Sequence, residues 1–289
     1  MLFFQVALVL LAFAANSLLC RWALAEYQFD AALFSATRLF SGAMMLSLLM
    51  VWLRPATDDR RSWTNVIQSR RFWLLGACLA TYVVGFSWAY LQLDTGTGAF
   101  ILFATVQLAM QLAAYWQGVR LSVRQYIGIL ISALGLAALL LPGNEAPHWL
   151  AAFMMVIAAL GWTGFVVLAK ASGNALRDVH QAFIAASLLV MPLTPVLFGD
   201  WQPWSPAPWW LALLSGALAS GVGYFLWYRL LPQLGLNRAA QCQLLVPVIA
   251  MLMGVILLGE TLSLTALLAM LVICTGVALA TLSRPRTIG

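Results

Sequence analysis

Ten times along this chain the polar residues give way to an apolar run of about 17–23 residues, long enough to cross a bilayer as a helix. The runs cover residues 3–22, 31–53, 72–91, 97–116, 123–141, 149–169, 182–198, 209–228, 239–258 and 262–282. Lipid offers no water to satisfy peptide N–H and C=O groups, so each run is expected to close its own hydrogen bonds as a helix. Hydrophobic residues make up 63% of the chain and charged ones 8%, which leaves no stretch for a soluble nucleotide- or DNA-binding domain. The expected fold is an all-α membrane protein of ten transmembrane helices. The first run lacks the basic start of a signal peptide and reads as an uncleaved helix.

The net charge of +6 is explained by topology. Arg54, Arg60, Arg61, Arg70 and Arg71 follow run 2, Arg120 and Arg124 follow run 4, and Lys170 and Arg177 follow run 6. Arg229 and Arg238 follow run 8, and Arg284 and Arg286 follow run 10, so all of these fall on one side. The other side carries Arg21 alone, with Glu26, Asp30, Asp94, Glu145, Asp200 and Glu260. The excess of arginine and lysine marks the cytoplasmic face and puts both termini inside. The expected location is the bacterial inner membrane, with lipid and a small solute as partners and no nucleic acid. Cys20, Cys78, Cys242 and Cys274 are too scattered for a metal or redox set, and the sequence calls for no cofactor.

The chain also repeats itself. Gly118 stands 141 residues before Gly259, Ser122 the same distance before Ser263, and Val106 the same distance before Pro247. Leu91-Gln92-Leu93 likewise faces Pro232-Gln233-Leu234, and Leu19-Cys20-Arg21 sits roughly where Leu168-Ala169-Lys170 does in the second half. The turn-rich link at 142–147 separates five runs from five, giving repeats at 1–142 and 147–284. A repeat with an odd number of spans lies upside down relative to its partner. Inverted repeats mark secondary transporters, whose solute sits near mid-membrane where the halves meet.

Two tandem five-helix units, the box formed by Pro247 and Gly259-Glu260, and Arg38 early in run 2 resemble the EamA-type drug/metabolite transporter superfamily. The likeness covers essentially the whole chain, although the first half has Val106 for the proline and Val119 for the glutamate. The aromatic and glutamine content of the inner helices further resembles the superfamily's amino-acid exporters, those for aromatic amino acids in particular. That resemblance implies export of neutral or aromatic amino acids, or similar metabolites, by alternating access.

Intramembrane polar residues are the candidates for solute contact, because each costs energy without a partner. Asn16 lies inside run 1, Gln107 and Gln111 lie one turn apart on run 4 beneath Phe100 and Phe103, and Gln241 and Gln243 open run 9. A single such amide reads as interhelical glue worth about 1 kcal/mol. The set, concentrated on runs 4 and 9, reads as a cavity wall. Most tryptophans mark span ends, but Trp162, Tyr82 and Tyr224 lie mid-span and suit an aromatic solute as well as they suit packing. Pro247, which cannot bond the Gln243 carbonyl, and Gly221 are the expected gating points. Arg38 has two readings: a structural residue snorkelling to Asp30 or Glu26, or an attractor of a solute carboxylate. Glu260 reads as a turn-stabilising residue at the outer interface.

No carboxylate lies deep in any run, which favours facilitated diffusion without a tightly coupled ion. His180 stands at the inner end of run 7. The competing transport reading is efflux of drugs or organic cations, with or without proton coupling. An enzyme is not expected, because the chain lacks His-Glu-x-x-His and paired intramembrane aspartates. Ten spans enclose a pathway in one chain, so a monomer is expected.

Overall fold

A computed structural model describes residues 2–53, 63–118, 121–140, 147–170, 174–194, 205–234, 239 and 242–282. Those residues form helices and turns and contain no strand. The first five long or short elements are α1 (Leu2–Arg21, prolonged by a π-helical turn Trp22–Glu26), α2 (Ala31–Leu53), the short α3 (Trp63–Ile67), α4 (Arg70–Tyr90) and α5 (Thr95–Trp116). They are followed by α6 (Val123–Leu140), α7 (Trp149–Lys170), α8 (Ala175–Val190), α9 (Pro206–Leu234), α10 (Leu245–Leu258) and α11 (Leu264–Leu282). Six of them, α1, α2, α4, α5, α7 and α9, have the length and apolarity to cross a membrane, and the apolar α6, α10 and α11 are shorter. The outward faces are as greasy as lipid requires: Phe3, Trp52, Trp116, Trp149 and Ile256 are all exposed. The chain is thus a multi-pass membrane protein.

Among the described residues helices occupy most of each expected run, and local chemistry sets the ends. Asp30 accepts from Leu33 N–H (2.8 Å) at the start of α2, and Ser69 accepts from Phe72 N–H (3.2 Å) at the start of α4. Ser122 and Gln125 bond each other's backbone N–H ahead of α6, a reciprocal capping box. Asn174 Oδ1 accepts from Arg177 N–H (3.1 Å), so α8 begins well before the hydrophobic run at 182. Run 9 differs more. Cys242 and Gln243 are helical, a turn at Leu244 interrupts the path, and α10 restarts at Leu245. Pro247 is the third residue of α10, and the interruption at Leu244 lies where its ring removes the hydrogen bond to the Gln243 carbonyl.

The repeated residues do the same work in both halves. Gly118 after α5 and Gly259 after α10 both have positive φ, +84° and +66°, which closes a helix in the left-handed conformation that glycine adopts without strain. Four residues later Ser122 caps α6, and Ser263 caps α11 through Ala266 N–H (3.1 Å).

Packing brings α4 against α7 and α8, α2 against α8 and α9, α5 against α7 and α10, and α6 against α11, with α1 against α9 and α10. The approach of α2 to α9 depends on Gly216, where a Cβ would collide with Ser41 Oγ and the Arg38 carbonyl. Close backbone contact through small residues is how helices adhere where lipid supplies no hydrophobic drive.

Candidate functional site

The centre of the bundle encloses a cavity of about 100 Å³. Its wall is drawn from α1, α4, α5, α7, α9, α10 and α11, so both halves contribute. Eight of the residues singled out from the sequence meet there: Asn16, Tyr82, Phe100, Gln107, Trp162, Tyr224, Gln243 and Pro247. Gln111, one turn beyond Gln107, is half-buried outside the wall. Gly221 packs against the Met45 side chain of α2, also away from the cavity. Gln241 lies outside the described residues.

One side of the cavity is aromatic. The Trp162 indole on α7 stacks on Tyr224 of α9 (5.4 Å, 21°) and tilts against Tyr82 of α4 (5.2 Å). Phe86 sits behind Tyr82 at 5.4 Å, and Phe13 of α1 lies 5.3 Å from Tyr224. The helical spacing of Tyr82, Phe86 and Tyr90 places them on one face of α4, which orients the first two inward. The amides of Gln107 on α5 and Gln243 just before α10 also line the cavity. This combination of ring faces with a few amide donors and acceptors suits a small amphipathic solute.

Arg38 has moved furthest from expectation. It is fully buried and does not snorkel to Asp30 or Glu26. Its Nη2 donates to the Tyr82 hydroxyl (3.2 Å) and its Nε to Ser220 Oγ (3.4 Å). The guanidinium carbon lies 4.9 Å from the Phe86 ring centre and 5.4 Å from that of Tyr82, within cation–π range. Ser220 in turn bonds Asn16 Oδ1 (3.3 Å), which also accepts from Ser215 (2.8 Å). The sequence offered no sign that Ser215 belonged here, because residues five apart leave the same face of an α-helix. The stretch Ser215–Val222 of α9 is π-helical, and this wider turn brings Ser215 and Ser220 to one amide.

One end of the bundle is fastened by a second polar cluster. The Glu260 carboxylate, beyond the end of α10, accepts from the backbone N–H and the hydroxyl of Thr95, each at 2.8 Å. It thereby satisfies donors at the N-terminus of α5, where negative charge is favoured. Arg21 reaches Glu260 (3.7 Å) and Asp94 (3.5 Å) and donates to the Tyr90 and Leu91 carbonyls at the end of α4. Burial pushes the Glu260 carboxyl above the ordinary glutamic acid range, against the lowering effect of the Thr95 hydrogen bonds. Glu260 thus steadies the α5 terminus as well as its own turn.

At the opposite end of α4, Arg71 pairs with the buried Asp178 of α8 at 2.9 Å and donates to the Leu168 carbonyl (2.7 Å). The amino-terminal end of α4 is thereby tied to the second half of the chain.

Comparison with known proteins agrees with this architecture. The model of the EamA-like transporter family matches residues 149–282. An uncharacterized protein of Pseudomonas aeruginosa is 42% identical over 273 residues, covering 94% of this chain and 91% of its own. The Uncharacterized transporter YoaV of Bacillus subtilis is 23% identical over 265 residues, 88% of each chain. A Streptantibioticus cattleyicolor protein named "Probable terminal-alkyne amino-acid exporter" is 24% identical over 187 residues, 63% of this chain and 62% of its own. A crystal structure of a protein superposes on 96% of both chains with a TM-score of 0.64 at 18% identity, which is a likeness of fold.

Proposed function

The chain belongs to the EamA-like transporter family, and from that premise we propose that it exports neutral and aromatic amino acids, or similar small metabolites, across the bacterial inner membrane. The observation that carries this reading is the cavity, whose wall joins the Trp162–Tyr224–Tyr82 rings with the amides of Gln107 and Gln243. An aromatic side chain lies against the rings, and amides serve a zwitterionic head group. The likeness to a protein named as an amino-acid exporter supports the same solute class.

Alternating access through two inverted five-helix halves is part of the proposal. Exchanging α1 with α7, α2 with α8, α4 with α9, α5 with α10 and α6 with α11 carries the most extensive helix contacts into one another. The contact of α4 with α7 becomes that of α9 with α1, α4 with α8 becomes α9 with α2, and α1 with α10 becomes α7 with α5. Such exchange supports a two-fold relation between the halves, and the matched glycine turns and serine caps support it locally. Ten crossings by a single chain, with both ends on the arginine-rich cytoplasmic face, complete the reading.

Among the described residues the cavity wall holds no carboxylate, lysine or histidine, so no group there carries a proton through the cycle. Solute therefore moves down its own gradient. Organic-cation efflux is disfavoured, because Arg38 places an unpaired positive charge directly behind the ring wall. Counterflow in proteoliposomes tests the proposal. Labelled phenylalanine or tryptophan is expected to accumulate against the trapped unlabelled amino acid without a pH gradient, and organic cations are not. Exchange of cations alone, or uphill accumulation driven by a pH gradient, overturns it.

A further inference from the structure

We propose that the Arg38 end of the cavity is a carboxylate-recognition site in which the arginine never touches the solute and acts through Tyr82 and Asn16. This rests on the transport reading above and adds which end of the solute is read, and by which atoms.

A guanidinium only donates, so Ser220 Oγ, which receives Arg38 Nε, must send its own proton onward. That proton goes to Asn16, and this fixes the Asn16 amide with its oxygen toward Ser220 and Ser215. The oxygen is occupied twice, so the two N–H bonds of Asn16 are what the residue presents to the cavity it lines. The same logic applies to Tyr82. Its oxygen accepts from Arg38 Nη2, and its hydroxyl shares a hydrogen bond with that of Tyr224, so the pair of phenols that line the cavity keeps one O–H proton for it. One buried cation therefore turns two ambivalent side chains into donors at the same end of the cavity.

Charge points the same way. Arg38 is fully buried, its Nη1 has no partner, and the ion pairs of the described residues do not include it. Burying such a charge without a counter-ion is costly, and ring faces offset only part of that cost. A wall with donors in front and an uncompensated cation behind is complementary to an anion with acceptor oxygens. A solute carboxylate meets both requirements, and it leaves the amino group and side chain to the glutamines and to Trp162.

The test uses the full chain and three phenyl compounds. In proteoliposomes, 3-phenylpropionate (carboxylate without amine) is expected to inhibit phenylalanine counterflow at least about tenfold more strongly than 2-phenylethylamine (amine without carboxylate). Equal inhibition by the two, or stronger inhibition by the amine, overturns the proposal. Thermal shift of the detergent-purified protein by 3-phenylpropionate is measured in parallel. A shift without any counterflow sinks the transport reading alone, whereas counterflow without carboxylate preference sinks this inference alone. Tyr82→Phe keeps the ring and loses the donor, and it should weaken 3-phenylpropionate inhibition about tenfold. Arg38→Met should abolish the carboxylate preference and Arg38→Lys should restore part of it. A purely structural role changes yield or melting temperature and leaves the preference unmoved, which would contradict the proposal. If neither arginine variant folds, Tyr82→Phe with unchanged preference overturns it.

Discussion

Glu260 caps a helix that is not its own: its carboxylate holds both the N–H and the hydroxyl of Thr95, at the start of α5, 165 residues away in sequence. Because α5 and α10 both line the cavity, this contact fixes the start of α5 relative to the end of α10. Arg21 and Asp94 complete the cluster from α1 and from the residue before α5.

The cluster has a pH signature. Burial raises the folded-state pKa of Glu260 above its unfolded value, so ionising it costs stability, and that cost is fully present above the raised pKa. As pH falls through the raised pKa toward the ordinary carboxylate range, the folded protein binds the proton first and gains stability. The melting temperature of the wild type minus that of Glu260→Gln should rise over this window, measured in detergent by scanning fluorimetry. A difference that falls with decreasing pH would mean that the Thr95 and Arg21 contacts outweigh burial.

Gly216 is the closest contact of α9 with α2. Gly216→Ala would press a methyl group on Ser41 Oγ and on the Arg38 backbone carbonyl, which cannot swing aside. A loss of about 1–3 kcal/mol is expected, typical of overpacking. The measurement is a lowered melting temperature, and an unchanged one would show that the helices separate freely.

Much of this was legible beforehand, for definite reasons. Helix positions follow from apolar runs, because lipid leaves the backbone no alternative. The cavity wall was legible at Asn16, Gln107, Gln243, Trp162, Tyr82 and Tyr224, because polar and amphipathic residues at mid-span need a reason to be there. Arg38 was misjudged because a linear sequence favours the nearest acid, whereas its partners are 44 and 182 residues away. Ser215 escaped notice because periodicity assumes 3.6 residues per turn, and the π-helical stretch breaks that assumption. Gln111 shares a helix face with Gln107, but the cavity ends before it. Spacing defines a face and says nothing about how far along it a cavity extends.

That boundary is itself testable. Gln107→Leu should lower counterflow of aromatic amino acids severalfold, because it removes a polar group from the wall. Gln111→Leu, one turn away, should stay within about twofold of wild type, as expected of a substitution that touches no special feature. Equal losses in both variants would move the cavity along α5.

Trp162 is the ring shared by Tyr82 and Tyr224. Trp162→Ala should weaken aromatic solutes by about 2–10-fold relative to small neutral ones, the value of about 0.5–1.5 kcal/mol for a ring contact. Competition curves in the same liposomes give the ratio. Equal weakening for both solute types would assign Trp162 to packing alone.

Cys274 of α11 lines the same cavity and is a native probe of it. In a variant with Cys20, Cys78 and Cys242 replaced by alanine, a small impermeant methanethiosulfonate reagent is added to either face of oriented vesicles. Modification from both faces, slowed about tenfold by the amino acid with the fastest counterflow, is the predicted result for a solute cavity that opens alternately. Modification at an unchanged rate in saturating solute, by protein that still transports it, would contradict the account.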